Sequence, residues 1–420
     1  MPTLYGTLLQ PRGPDDCAVT PGTAVRFDAA GKIAQVGPDR PPGGDVVGDE
    51  ACWILPGFID GHLHLPQWDR RGIDGYALFD WLEKIVYPAE ARFADADFAE
   101  KLAETFVSGL IAHGTTTAAV FGSPFAAATD RVFNVFARRG YRTVFGMTLN
   151  DKNCHDKLQQ STDEALDQAR GLAARWHGAE DGRLNYAFCP RMPVCCSEKM
   201  MRGAAALADM LGCYIQTHVA ESLAEVAAVR EAYPDRLDDV DLFAEMGLLT
   251  PRTLLGHGVY LSQPQRHQVA ETQTAVVHCP TANLFLESGT MDYHGHRASG
   301  IRLILGSSVA GGPDPFMPRV AVACLQTAKG VKMHAVPRGG RRVPTPAEAW
   351  WLLTRGAAEA LGMSDRIGAI EPGLEADCLV VRPEPWIADL PPEQQVSALL
   401  YSISPRQIEH VFIAGRRVGP

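Results

Sequence analysis

A chain of 420 residues is longer than one ordinary domain, yet a single α/β barrel with an accessory domain absorbs that length. Charged residues at 21% and hydrophobic residues at 46% exclude a disordered or fibrous chain. A formal net charge of −10 argues against a nucleic-acid partner, which needs concentrated Lys and Arg, and favours a small or neutral substrate.

No apolar run approaches the roughly 20 residues that span a bilayer, and Met1 to Gln10 lacks a basic start followed by an apolar stretch. The expectation is a cytoplasmic protein with no membrane attachment. The ten cysteines contain no CxxC pair and read as reduced thiols.

Residues 1–55 read as short strands punctuated by glycine and proline, and VRFDAAGKIAQVG has the apolar, turn, apolar order of a hairpin. The far end, 368–420, repeats that texture in ADCLVVRP and EHVFIAGRRV. The two ends are therefore expected to form one composite β-sandwich domain. Residues 56–367 between them alternate β-rich runs, such as LNYAFCP and CYIQTHV, with helical segments such as Glu164 to Trp176 and Ser197 to Leu211. Regular alternation implies a parallel sheet, and reactive residues at the ends of several strands point to closure into a (β/α)8 barrel.

Those reactive residues come in chain order. His62 and His64 in LPGFIDGHLHLPQ stand two apart, so in extended backbone both side chains face one side and can chelate one ion. His218 and Glu221 follow in YIQTHVAES, His257 in TLLGHGVYLS and His278 in AVVHCPTANLFL. Several imidazoles converging on one end of a barrel are hard to explain as packing, because each brings nitrogens that need partners. Nitrogen ligands suit one divalent ion, zinc first, with iron or manganese compatible. Zinc on three histidines with an open position lowers the pKa of water to about 7. Glu221, where strand gives way to helix, can carry a proton to a ring nitrogen and then to a leaving amine.

These residues resemble the amidohydrolase superfamily and, within it, the guanine deaminases. PGFIDGHLHLPQ, DWLEKIVYPAEARF, CPRMPVCCSE, THVAES, GHGVYLS, HCPTANLFLESG and GAIEPGLEADCLVV occur in that family's order. The resemblance implies zinc or iron on His62, His64 and His218, His257 orienting the attacking water, and Glu221 shuttling protons. It also implies purine binding by Gln67 and Arg191, and a homodimer. An amide and a guanidinium can offer paired contacts to a heterocycle edge, with Trp81 or Phe79 as a stacking wall.

Two positions depart from the family pattern. Met192 stands where phenylalanine is usual, and Ser308, in IRLILGSSVAGG, takes the place of a metal-binding, proton-accepting aspartate. A neutral hydroxyl coordinates divalent ions less well than a carboxylate and is no base near pH 7. Three readings follow: an ion held by histidines alone with His257 among the ligands and His278 or Glu221 taking the proton, Asp314 folding back into the site, or a pocket kept for binding after hydrolysis was lost. His113 is expected to cap a helix end. His155, His177, His267, His294, His296, His334 and His410 are expected in solvent, and the acidic DRLDDVDLF stretch at a solvated helix start.

Overall fold

The computed structural model describes residues 2–38, 44–335 and 340–419. Five strands open the chain: β1 (Thr3–Gly13), β2 (Asp16–Phe27), β3 (Ile33–Gly37), β4 (Val46–Val47) and β5 (Trp53–Pro56). The expected hairpin is β2–β3, antiparallel with Arg26 opposite Gln35 and Phe27 opposite Ile33.

Next come β6 (Phe58–His64), β7 (Thr115–Phe121), β8 (Arg142–Gly146), β9 (Thr148–Leu149), β10 (Leu184–Pro190), β11 (Tyr214–Val219), β12 (Thr253–His257), β13 (Ala275–His278) and β14 (Arg302–Leu305). Eight of these form one parallel path, β6-β7-β8-β10-β11-β12-β13-β14, with β9 alongside β10. Helices separate them, as the alternation predicts. One is Ala96–Ala112, where Asp95 accepts the Asp97 and Phe98 N–H groups at 2.9 and 3.2 Å. Its residues Ala99, Leu102, Phe106, Leu110 and their neighbours recur at helical spacing and are buried. His113 ends it as expected, with Nδ1 2.7 Å from the Gly109 carbonyl. The other expected helices run Thr162–Trp176 and Glu198–Leu211, the latter capped by Ser197.

The two ends of the barrel path meet beyond their strand ladders. Ser308 N–H donates to the His62 carbonyl at 2.7 Å, and His64 N–H to the Val309 carbonyl at 2.8 Å. Gly61 permits this closeness, because a Cβ there would lie 2.4 Å from Ile304 Cγ2. The barrel is filled by Ile59, Ala119, Val144, Ala187, Leu254, Val277 and Ile304, packed with Ala357, Leu361 and Ile367.

The tail adds β15 (Cys378–Val381), β16 (Ile408–Ile413) and β17 (Arg416–Val418), and both ends of the chain share one sheet in the order β17-β16-β15-β5-β1-β2-β3. Phe27 of β2 and Phe412 of β16, separated by three strands in that order, have ring centroids 5.6 Å apart, so the sheet folds over itself. Cys378 and Val380 join the apolar cluster inside this fold while Leu379 and Val381 join the main core. That period of two with both faces covered is why ADCLVVRP reads as an unbroken apolar run. Buried Arg142 of β8 ties the units together, donating from Nε to Asp377 Oδ2 at 3.0 Å and from Nη2 to Glu375 Oε2 at 2.5 Å. No helix among the described residues is long and apolar enough to cross a membrane, and the ten cysteines are free thiols.

Candidate active site

The histidines at the ends of β6, β11 and β12 do converge. In β6 the register against β7 slips between Asp60 and Leu63, so one extra residue bulges out just where His62 sits. Bulges re-aim side chains in this way beside functional sites. One ring nitrogen each from His62, His218 and His257 lie within 4.8 Å of one another. His64 Nε2 is 3.3 Å from both His62 Nε2 and His218 Nε2. Two nitrogens bound tetrahedrally to one zinc at about 2.0–2.1 Å lie roughly 3.3–3.4 Å apart, so these spacings fit a shared ion. Room for the His62 ring comes from Gly256, where a Cβ would stand 2.9 Å from His62 Cε1.

Two of the four rings are oriented from behind. His218 Nδ1 lies 2.6 Å from the Arg191 carbonyl and His257 Nδ1 2.7 Å from Asn283 Oδ1. Nδ1–H therefore donates to an oxygen in both, which leaves Nε2 as the free donor atom. Burial first, then neighbouring imidazoles, hold the pKa values of His62 and His64 well below the usual range and that of His218 near about 3. Burial brings His257 down to about 4, against the raising effect of Asn283. Neutral rings are what a cation requires of them.

Over the histidines opens a narrow cavity, partly open to solvent. Gln67, Trp81, Arg191, Met192, Glu221 and Ser308 line it with His64, His218 and His257. Ala310 N–H donates to Gln67 Oε1 at 3.3 Å, leaving the Gln67 amide nitrogen as its donor. Arg191 is wholly buried, donates from Nε to Asn150 Oδ1 at 3.1 Å, and forms an ion pair through Nη2 with Glu90. Nη1 is its nitrogen without a hydrogen bond to the described residues. Glu221 Oε1 lies 3.6 Å from His257 Nδ1, and burial pushes its pKa up to about 8. Trp81 rather than Phe79 forms the aromatic wall, since Phe79 is exposed and absent from the lining.

Ser308 lies in the left-handed region at φ 48°. Its neighbour Ser307 is fixed by buried Asp60, which accepts Ser307 N–H at 3.0 Å and Ser307 Oγ–H at 2.5 Å. Asp314 does not fold back. It accepts Phe316 N–H at 2.9 Å and pairs with Arg319, a turn aspartate outside the cavity lining. His278 is buried at the end of β13, with Nδ1 unpartnered, and is likewise not among the lining residues. Two solvent expectations need correction. His296 is fully buried, its two ring nitrogens 2.9 and 3.0 Å from the Asp292 and Gly258 carbonyls. In DRLDDVDLF, Asp238 caps a helix as expected, but Asp239 is buried and accepts from Gln265 Nε2 at 3.0 Å.

Sequence reasoning missed Asp60, Glu90, Asn150, Asn283 and Glu225. Of these, Asp60, Glu90 and Asn283 stood inside quoted segments, LPGFIDGHLHLPQ, YPAEARF and HCPTANLFL, without a local pattern to set them apart.

The Amidohydrolase family profile matches residues 53–418. The chain is 33% identical over 372 residues to the probable guanine deaminase of Deinococcus radiodurans, covering 86% of this chain and 82% of that protein. The solved guanine deaminase of E. coli superposes with a TM-score of 0.91 at 26% identity, over 100% of this chain and 99% of that one. A zinc-bound adenosine deaminase from Xanthomonas campestris superposes at 0.87 with 25% identity, over 99% and 92% of the two chains. With the family profile spanning the whole barrel and the C-terminal strands, this chain belongs to the amidohydrolase family.

Proposed function

We propose that the chain is a metal-dependent aminohydrolase that converts guanine, or a closely related amino-heterocycle, to the oxo compound and ammonia. The observation that carries this reading is the convergence of four neutral imidazoles, three of which line a cavity that also holds Gln67, Arg191 and Glu221. The donor set fits a divalent ion: His62, His64 and His218 would hold it, with His257 beside them, and zinc is the first expectation with iron the alternative. When bound, such an ion supplies a Lewis acid that makes water nucleophilic near neutral pH.

The chain's own residues supply the rest. The Gln67 amide nitrogen and Arg191 Nη1 donate to the edge of the heterocycle, while Trp81 and Met192 give it apolar walls. His257 orients the water. Glu221 takes its proton and passes protons to a ring nitrogen and the departing amine, so that a C–O bond forms, a C–N bond breaks and ammonia leaves. A homodimer and a cytoplasmic location belong to the same proposal; light scattering checks the first and cell fractionation the second.

Metal-replete protein is expected to release ammonia from guanine with formation of xanthine. Absence of turnover on guanine, pterins and aminotriazines at high protein concentration would remove the reading. Met192 in the cavity wall motivates a related heterocycle as the true substrate, which a kinetic comparison across that panel decides. A second reading, a purine-binding protein without catalysis, is favoured by Ser308: the cavity carries a hydroxyl there and, among the described residues, Glu221 is its sole acidic lining residue. Strong turnover by the native chain ends that second reading.

A further inference from the structure

Ala220, between β11 and Glu221, is a non-glycine residue in the left-handed region at φ 44°. Such a conformation costs an alanine roughly 1–2 kcal/mol and persists where its surroundings hold it. On one side, Tyr260 N–H donates to the Ala220 carbonyl at 3.1 Å and Gly258 N–H to the Val219 carbonyl at 3.0 Å. On the other side, Glu221 N–H donates to Glu225 Oε2 at 2.6 Å.

Glu225 occupies the third position of the helix Leu223–Ala232, whose cap Ser222 accepts Glu225 N–H at 3.1 Å. In an ordinary capping box the glutamate reaches back to the N–H of the capping serine. Here it reaches one residue further, to the residue that brings a carboxyl into the cavity. Glu225 is also wholly buried, Oε1 has no hydrogen-bond partner, and no cation pairs with it among the described residues. Burial, with Glu221 and Asp239 adding to it, raises its pKa to about 8. Capping contributes about 1 kcal/mol, whereas burying a carboxyl without a cation costs more than that, so helix capping does not account for the position. A fixed Glu221 does.

We propose that Glu225 is a positioning residue: by accepting the Glu221 N–H in this left-handed turn, its carboxyl oxygen sets the Glu221 side chain beside His257. The proposal rests on Glu221 being the proton carrier of the deamination proposed above.

The test compares Glu225→Gln and Glu225→Ala in the metal-loaded full chain, reading guanine kcat and KM, and hydrogen exchange at the Glu221 amide. Glutamine keeps an acceptor oxygen in the same place. Glu225→Ala is expected to lose Glu221 amide protection and to drop kcat by about 100-fold with KM and metal content little changed. Glu225→Gln is expected to rescue both to within about threefold of the native chain, because one N–H···O bond survives. Full protection and native kcat in Glu225→Ala would overturn the proposal. So would a Glu225→Gln protein that keeps protection yet falls as far in kcat as alanine, since the carboxyl's proton would then matter rather than its acceptor. Should the alanine variant not fold, loss of protection in the glutamine variant overturns the proposal alone. If the native chain deaminates nothing, the proposed function fails, while the exchange comparison still decides whether Glu225 holds the turn.

Discussion

Arg191 and His218 are joined through the backbone: the Arg191 carbonyl receives His218 Nδ1–H at 2.6 Å, while the Arg191 guanidinium lines the cavity above. The end of β10 thus fixes one imidazole of the histidine cluster and presents a cation to the cavity at once. Glu90 pins that cation, both residues being buried. Replacing Glu90 with alanine strands the guanidinium and is expected to lower stability by about 3–5 kcal/mol, read as a fall in melting temperature. Guanine KM should rise as well. A native melting curve for Glu90→Ala would show that the pair is not what holds Arg191.

Asn283 is the partner that sets the His257 ring, at 2.7 Å. Asn283→Leu removes the acceptor without adding charge. Partners behind a metal-facing histidine are worth roughly 10–100-fold in metal affinity or activity, and a loss of that size is expected in kcat. Titration of the apoprotein with zinc distinguishes lost affinity from lost catalysis; unchanged values in both would mean that His257 is oriented by something else.

Ser308 offers the cleanest gain. Aspartate tolerates the left-handed backbone found there better than most residues, so Ser308→Asp is expected to fold normally. A carboxylate added beside four imidazoles binds a divalent ion more tightly than a hydroxyl. Metal retention during chelator challenge should rise at least about 10-fold, a difference of ~1.4 kcal/mol. Retention equal to the native chain would place the Ser308 side chain outside reach of the ion.

The pH dependence of the metal-free protein follows from its buried acids. Burial raises Asp60 to about 7, and Glu221 and Glu225 to about 8. A carboxyl whose folded pKa lies above its unfolded value contributes stability that is full below the unfolded pKa, near 4.5 for glutamate, and is lost as pH rises through the folded one. The buried histidines act with the opposite sign below about pH 6.5, where unfolding lets them take protons. Between pH 6.5 and 9 the acids act alone among these groups, so the melting temperature should fall across that window. Glu225→Gln should flatten part of the fall. A melting temperature that climbs from pH 6.5 to 9 contradicts the assignment.

Much of this was legible in the residues themselves. A two-residue spacing placed His62 and His64 on one side of β6, and strand–helix alternation with histidines at successive strand ends implied a closed parallel barrel. The hairpin and the helix ending at His113 followed from local chemistry. Those features depend on neighbours within a few positions, so the order of residues determines them directly.

Tertiary structure alone decided which polar groups meet in the interior. Glu90 reaches Arg191 across 101 residues, Asp60 reaches Ser307 across 247, and Asn283 reaches His257 across 26. His296 and Asp239 looked solvated because their neighbours in sequence are polar, yet both are buried. Burial is fixed by which strands and helices close around a residue, and an interior polar atom takes whatever partner that closure delivers. For this reason the imidazoles could be read from the chain, but the groups that aim them could not.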